Sequence, residues 1–437
     1  MALVFHSGFE GGNTFEWSSV TGTPTIQSTI KKTGTYAMRI VNPVDAAYVS
    51  QTIEAWELSF YLYIASAPNS DVYIAGFYYT GLGLSIVALT TDRYLQWASV
   101  AGSKGATQLA LNTWYRVSMS ADRVTDTVKI YLNDSLEINY TNFTDTGTTD
   151  TVRVGNDVGL SCDLYFDDIA LDSVENTTDD LGDIRTLLSL PNADGTNQGF
   201  DTPSDGGARP YYDLIDDAPG AISDTDYIRH AATATAKESD ALQDSATIGI
   251  GGSDTVNAVR TLARMKRGAG GAGGGKGVLV RDNGTDYTTT ISATTSYAWF
   301  SRYDATMPNG GAAWTQARVD AFEAGASHGL GSDDAQDTYI SALMVMVAYT
   351  PVGLTAIGDT VQGVWAVRSA QGDTVRPLWN VRYARGDVVR PVWGVKVTVG
   401  DTVKPVWAVR KVLGDTVRTI WNVAALLQVG DTVRAVW

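Results

Sequence analysis

Six copies of one short motif occupy the last part of the chain and constrain its fold more than any other feature. A Gly-Asp pair and a tryptophan recur together, first in four steps of 14 residues and then in one step of 16. The pairs begin at Gly358, Gly372, Gly386, Gly400, Gly414 and Gly430, and the tryptophans are Trp365, Trp379, Trp393, Trp407, Trp421 and Trp437. A unit this short cannot bury its own apolar residues, so it must stack on other copies or on other chains.

Each copy follows the pattern GDTVRPVW, which predicts a Gly-Asp turn and then a strand of about ten residues with one apolar face. We expect the tryptophans to form the repeat core, although aromatic ladders can also bind sugars. Proline at 377, 391 and 405 predicts an edge or a bulge, because proline cannot donate to a sheet ladder. Two arrangements remain open: a single-chain meander or small barrel, or a trimeric fibre that resembles in style the triple β-spiral shafts of viral fibres.

Composition indicates an all-β protein and excludes several function classes. Only 18% of the 437 residues are charged, and the net charge of −16 disfavours nucleic acid and anionic membranes as partners. The single cysteine, Cys162, excludes an intrachain disulfide framework. Because no apolar stretch approaches about 20 residues, we expect no membrane insertion. The first residues lack the basic and apolar regions of a signal peptide, which disfavours secretion by that route.

Charge is distributed unevenly along the chain. Residues 354–437 contain 11 basic and 6 acidic residues, a balance of +5, whereas the preceding residues carry a balance of −21. The repeat region is therefore either a basic anchor for an acidic partner, or a solvated face on which Arg and Asp of adjacent copies pair.

Residues 1–173 consist of short alternating segments separated by turn residues, a spacing that predicts a β-sandwich. Three segments carry a resemblance to the concanavalin A-like, LamG-type jelly-roll superfamily. They are Phe9–Gly11 (FEG), the hairpin Asn112–Asp134 with NTWYRV and VKIYLND, and Tyr165–Leu171 (YFDDIAL). The resemblance covers the whole domain and implies its fold more strongly than its function.

The resemblance implies a structural calcium ion held by Glu10 with Asp167 or Asp168, since related modules use carboxylates at these positions. The alternative is that the three acids cap turns or face solvent. Laminarinase-type relatives carry a Glu-x-Asp-x-x-Glu strand, which this chain lacks, so that mechanism of glycoside hydrolysis is not expected. Trp56, Tyr78, Tyr79 and Trp97 are candidates for a sugar platform or for the core.

Residues 174–352 predict a second β-sandwich. The landmarks Tyr211–Asp217 (YYDLIDD), Trp314–Gly325 (WTQARVDAFEAG) and Tyr339–Tyr349 (YISALMVMVAY) resemble a domain of bacteriophage virion and tail-associated proteins. Thr255–Met265 predicts a strand and Trp314–Ala324 a small helix. The glycine-rich segment Gly268–Gly277 is followed by strand residues rather than a helix, so a tip between two strands is favoured over a phosphate-binding loop.

The sequence thus predicts two tandem jelly-roll or β-sandwich domains, 1–173 and 174–352, followed by a short-period β-repeat region, 353–437, acting as stem or anchor. The predicted function is a non-enzymatic structural protein of a bacteriophage virion, located at the particle surface or tail. Its expected partners are other virion proteins, further copies of itself in a homo-oligomer such as a trimer, and a host-surface glycan. Alternatives are a cellular carbohydrate-binding adhesin and a glycan depolymerase.

Overall fold

The computed structural model divides the chain into two compact units, Met1–Thr350 and Pro351–Trp437. It describes residues 3–351 except 42–45, 99–102, 142, 144–147, 158–160, 175–179, 232–234, 270–274 and 330–335, and the strands between 355 and 436. The described chain is almost entirely β-structure, which confirms the predicted all-β class. No helix in these ranges is long and apolar enough to cross a membrane.

Fifteen strands build the first sandwich. They are β1 (Leu3–Ser7), β2 (Ser19–Thr21), β3 (Thr25–Gln27), β4 (Ala37–Val41), β5 (Ala47–Thr52), β6 (Glu57–Ser66), β7 (Val72–Tyr79), β8 (Leu82–Leu89), β9 (Tyr94–Trp97), β10 (Lys104–Gln108), β11 (Trp114–Asp122), β12 (Thr127–Leu132), β13 (Ser135–Thr141), β14 (Thr151–Asn156) and β15 (Asp163–Asp172). Sheet A has the order β13-β12-β11-β6-β15-β4-β3, with β1 also paired to β15, and sheet B has the order β10-β9-β8-β7-β14-β5-β2.

Alternating side chains of sheets A and B meet in one core. In β12, Val128, Ile130 and Leu132 are buried while the residues between them are half-buried, as expected for a strand with one face on the core. Phe60, Phe77 and many other apolar residues of both sheets belong to the same cluster. The hairpin quoted for the jelly-roll resemblance is the antiparallel pair β11 and β12.

The second sandwich follows with eleven strands and three short helical segments. They are β16 (Arg185–Ser189), β17 (Pro191–Gln198), β18 (Thr202–Pro203), a 3-10 helix (Tyr212–Leu214), β19 (Ile228–His230), β20 (Ala236–Leu242), α1 (Ser245–Ile248), β21 (Thr255–Arg267), β22 (Lys276–Asp282), β23 (Thr285–Ile291), β24 (Ala298–Asp304), α2 (Gln316–Asp320), β25 (Glu323–His328) and β26 (Thr338–Thr350). Sheet C has the order β18-β19-β26-β21-β24, with β16 also paired to β26, and sheet D has the order β17-β20-β25-β22-β23.

The predicted strand at Thr255–Met265 is present as β21. The predicted helix at Trp314–Ala324 is shorter than expected: α2 covers Gln316–Asp320, and β25 begins at Glu323. Part of the glycine-rich segment, residues 270–274, lies outside the described residues.

The two sandwiches share a buried interface on the outer face of sheet C, the face turned away from sheet D. Strand β26 is buried along almost its whole length, because one face packs on the core between sheets C and D and the other on the first sandwich. Leu3 and Ala170 of the first sandwich cluster with Ala258 and Ala348 of the second. Phe15 stacks on Trp299 with the ring centres 4.2 Å apart. This cover explains why the run ISALMVMVAY is apolar at consecutive positions instead of alternating.

The repeat region forms three stacks of short strands. The strands are β27 (Thr355–Ile357), β28 (Thr360–Val361), β29 (Val364–Trp365), β30 (Ser369–Gln371), β31 (Thr374–Val375), β32 (Leu378–Trp379), β33 (Tyr383–Arg385), β34 (Val388–Val389), β35 (Val392–Trp393), β36 (Val397–Val399), β37 (Thr402–Val403), β38 (Val406–Trp407), β39 (Lys411–Leu413), β40 (Thr416–Trp421), β41 (Gln428–Val429) and β42 (Thr432–Val436). Each pairs in parallel with the strand one repeat later, as in β27-β30-β33-β36-β39-β41.

This arrangement is a parallel solenoid, with one 14-residue repeat per coil. The prediction of one ten-residue strand per repeat was wrong, since most coils contain three strands of two or three residues. The chain also takes neither single-chain form considered from the sequence, a meander or a small barrel, because the strands are parallel. Whether several chains associate as a trimer stays a prediction.

The predicted edge or bulge at the prolines is not tested, because residues 377, 391 and 405 lie outside the described residues. In the fifth copy Thr419 stands where these three copies have proline, and β40 runs unbroken from Thr416 to Trp421.

Candidate functional site

The three predicted calcium ligands lie around a single loop of the first sandwich. Glu10 follows β1, and Asp167 belongs to β15; both side chains are buried. Oxygens of Glu10 accept hydrogen bonds from the backbone N–H of Thr35, at 2.8 and 3.0 Å, and of Tyr36 at 3.1 Å. Asp167 Oδ2 accepts from the N–H of Lys32 at 2.8 Å. The two carboxylates therefore hold the segment 32–36 in place.

Asp168, the third acid, differs from the other two. Its backbone is left-handed, with φ of 47°, and the ladder between β15 and β6 shifts register between Asp167 and Ala170. Asp168 Oδ1 accepts from the N–H of Thr186 at 2.8 Å, and the Thr33 hydroxyl also lowers the pKa of the Asp168 carboxyl group. Asp168 thus contacts the same loop as Glu10 and Asp167.

Burial determines the protonation of the cluster. Loss of water raises the pKa of Glu10 to about 8 and that of Asp168 to about 7. The pKa of Asp167 is also well above its ordinary value, because of burial and the neighbouring charge of Asp168. Such a group of acids is stabilised either by protons or by a cation.

An all-oxygen donor set suits calcium, which binds carboxylates together with backbone carbonyls. Among the described residues, however, no group of three or more acid, histidine or cysteine side chains has the spacing of a metal site. Glu10, Asp167 and Asp168 are brought together around one loop, and their role as calcium ligands stays a prediction.

We expect calcium to raise the melting temperature of the chelator-treated protein at pH 8, because it would neutralise carboxyl groups that lose protons near this pH, Asp168 with a pKa of about 7 and Glu10 with a pKa of about 8. A calcium concentration 100 times the dissociation constant stabilises a protein by about 2.7 kcal/mol. The Asp168→Asn variant should lose most of this response, and magnesium serves as the control cation. Equal melting curves for the parent protein with chelator and with calcium would contradict the prediction.

The four aromatic candidates do not form a sugar platform. Trp56, Tyr78 and Trp97 are buried, with exposures of 1, 3 and 3%, and only Tyr79 is exposed, at 43%. Trp56 and Trp97 belong to the core cluster of the first sandwich. The core interpretation is therefore correct for these two tryptophans.

A different polar and aromatic group, which we call the sheet B patch, lies on the face of sheet B turned away from the core. It consists of Tyr48, Tyr78, Arg153 and Asp157. The Arg153 guanidinium lies over both rings, 4.0 Å from the centre of Tyr78 and 4.9 Å from that of Tyr48. Tyr78 Oη donates to Asp157 at 2.6 Å, and Asp157 also pairs with Arg153 at 3.2 Å.

The sheet B patch was not found from the sequence because its members come from separate segments. Arg153 alternates with core residues along β14, and Gly155 pairs with Tyr48 of β5. Arg153 is about one-fifth exposed and Tyr48 is half-buried, whereas Tyr78 is buried, so the patch offers the Arg153 guanidinium and the Tyr48 ring side by side. These are the groups that contact sugars in protein sites.

The repeat tryptophans occupy equivalent positions in successive coils. Trp365 pairs with Trp379, and the same register continues through Trp393 and Trp407 to Trp421. Trp437 lies outside the described residues, and the burial of the repeat side chains is likewise not described. The tryptophan core therefore stays a prediction, now with a defined register.

At the level of sequence, the chain matches no family profile and no curated protein. Among solved structures it is similar to Cellulose induced protein, Cip1, at 15% identity and a TM-score of 0.31, over 39% of this chain and 98% of that one. It is similar to Trypanosoma rangeli sialidase in complex with sialic acid at 11% identity and a TM-score of 0.32, over 40% of this chain and 31% of the sialidase. A conserved carbohydrate esterase of the Shiga toxin-encoding bacteriophage phi24B aligns at 14% identity and a TM-score of 0.28, over 35% and 88% of the two chains. At these identities the similarity concerns the fold alone.

Proposed function

We propose that this protein is a structural and adhesion component of a bacteriophage particle, placed at its surface or tail. In this proposal the solenoid attaches the chain to the particle or to further copies of itself, and the sandwich unit contacts a glycan on the host surface. The in-register stacking of the repeats carries the proposal, because similar coils in register form an extended, regular surface of the kind that solenoids use to bind partners.

The distribution of charge supports separate roles for the two units. The solenoid has an excess of basic residues, whereas the sandwich unit is strongly acidic. A basic stem favours an acidic partner, and the acidic sandwich units of neighbouring copies belong to that class. The basic-anchor interpretation of the sequence accordingly remains part of the proposal.

The sheet B patch supports a contact with sugars, and the buried acid clusters are not placed to cleave one. Glycoside hydrolysis needs two carboxyl groups that reach the bond being cleaved. Glu10, Asp167 and Asp168 are at most 2% exposed, as are Glu238 and Asp240 in the second sandwich. These carboxyl groups cannot reach a polymer in solution.

Deletion of residues 354–437 is expected to abolish oligomerisation or incorporation into particles, while the unit Met1–Thr350 stays folded. The expectation follows from the separation of the chain into two compact units. Light scattering gives the mass of the purified protein, circular dichroism reports its fold, and immunoblots of purified particles measure incorporation.

A control variant that lacks only one coil, residues 386–399, keeps the stacking register and should still be incorporated. A truncated protein that keeps both the native mass and full incorporation would refute the assignment of the solenoid as anchor.

A further inference from the structure

The outer face of sheet C carries a second feature beside the sandwich interface. The first sandwich covers this face at Met344 and Met346, which cluster with Leu262. Farther along the same strands, the face carries cations and rings. We call this group the basic aromatic platform, and it consists of Arg229, Arg264, Lys266, Tyr297, Trp299 and Tyr339.

Strand register places these residues side by side. Tyr339 of β26 pairs with Arg229 of β19 on one side and with Lys266 of β21 on the other. Arg264 pairs with Trp299 of β24. Cations and rings therefore alternate across four neighbouring strands.

Distances confirm that the side chains form one group. Lys266 Nζ lies 4.3 Å from the ring centre of Tyr297 and 4.8 Å from that of Tyr339. The guanidinium of Arg264 lies 5.8 Å from Tyr297 and 6.0 Å from Trp299. Cation–π contacts of this length hold the rings and the charges on one surface.

Not every charged group of the platform is paired within the protein. Arg264 pairs with Asp224 at 2.7 Å and Arg229 with Asp337 at 3.2 Å, whereas Lys266 forms no ion pair within the described part of the chain. The Lys266 ammonium is therefore the charged group of the platform left for a ligand that carries negative charge.

We propose that the basic aromatic platform binds an acidic polysaccharide, a polymer whose sugars carry carboxylates. The carboxylate would pair with Lys266, and the apolar faces of the sugars would stack on the rings of Tyr339 and Tyr297. The surrounding unit is acidic overall. Because Asp224 and Asp337 already pair with Arg264 and Arg229, Lys266 is the cation of the platform that attracts an anion. The inference deepens the proposed function, on which it rests, by naming the class of glycan.

The test uses the purified full-length protein and biosensors coated with alginate, a polyuronate, or with dextran, a neutral polymer. The parent protein should bind alginate and not dextran, and the affinity should fall as sodium chloride rises from 50 to 500 mM. Lys266→Gln should weaken alginate binding about tenfold, the effect of losing one charge-assisted contact. Lys104→Gln is the matched control, because Lys104 also lies over a ring, 4.0 Å from the centre of Tyr94, and pairs with an acid, Asp92.

The melting temperatures of both variants verify that they are folded. Equal alginate affinity of the two variants, or equal binding of alginate and dextran, would overturn the proposal. Equal binding of polyglutamate and alginate would also overturn it, and would identify an acidic protein as the partner. Because the assay does not involve particles, its result is independent of whether the solenoid is the anchor.

Discussion

Replacement of Arg260 with methionine is expected to lower the free energy of unfolding of the sandwich unit by about 3–5 kcal/mol. Arg260 lies on the outer face of β21, where the first sandwich covers it. Its Nη2 donates to the backbone oxygen of Glu16 at 3.0 Å, and its Nη1 lies 4.0 Å from Glu16 Oε2. The guanidinium also lies 4.9 Å from the ring centre of Phe5.

The cost arises because Arg260→Met would leave Glu16 buried without a cation. The Glu16 side chain is fully buried, and the Arg260 charge and the Ser7 hydroxyl are the groups that favour its ionised form. Burial already raises its pKa to about 7, and the Arg260 charge opposes that rise. Equilibrium unfolding in urea, followed by tryptophan fluorescence, measures the loss.

Arg264→Met provides the matched control for this prediction. Arg264 lies on the same face of the same strand, but its partner Asp224 is 43% exposed, so the loss should be below about 1 kcal/mol. The double variant Glu16→Gln with Arg260→Met should recover much of the stability, because it removes both buried charges. Similar losses for Arg260→Met and Arg264→Met would show that the buried pair does not hold the interface together.

A second large effect is expected from His6, which lies in the same interface. His6 is fully buried, its ring centre lies 5.7 Å from that of Tyr303, and its Nδ1 lies 3.3 Å from Thr186 Oγ1. Burial, together with the Arg260 charge, lowers the pKa of His6 to about 3. The folded protein thus keeps this ring neutral under conditions in which the unfolded chain would protonate it.

This difference in proton binding determines whether the stability of the protein rises or falls with pH. Between the unfolded pKa of about 6.5 and the folded pKa of about 3, the unfolded state binds more protons, so stability falls as the pH falls. At about 1.4 kcal/mol per pH unit, His6 should cost about 3 kcal/mol of stability between pH 7 and pH 4.

The His6→Gln variant isolates this contribution. It should be less stable than the parent at pH 7, because it disturbs the packing, and the difference should shrink by about 3 kcal/mol at pH 4. Urea unfolding of both proteins at the two pH values gives the comparison, in which other titrating groups largely cancel. A difference that stays constant from pH 7 to pH 4 would contradict the burial argument.

Much of the fold could be predicted from the sequence because strand periodicity is local. Val128, Ile130 and Leu132 alternate with polar residues and lie in the core as that pattern requires. The grouping of Glu10 with Asp167 and Asp168 could also be anticipated, since it came with the jelly-roll resemblance. Both inferences depend on residues within one segment or on a shared motif.

The sandwich interface and the arrangement of the repeats could not be predicted in this way, because both depend on contacts between segments that are distant in the sequence. Arg260 and Glu16 are separated by 244 positions, and no periodic pattern connects them. The apolar run at the end of β26 was the available signal of the sandwich interface, since it implies burial on both faces. In the repeats, a 14-residue period is compatible with an antiparallel strand and turn as well as with a coil, and period alone does not distinguish them.

Because the repeats stack in register, the solenoid can change its length only in steps of one whole coil. Each added coil lengthens the stack by about 4.8 Å, the spacing of paired strands. Insertion or loss of 14 residues returns every strand to an equivalent neighbour, whereas a change of one residue shifts all later pairings. Across the step of 16, Val412 still pairs in parallel with Gln428. The length of the repeat region can therefore change only by duplication or deletion of whole coils.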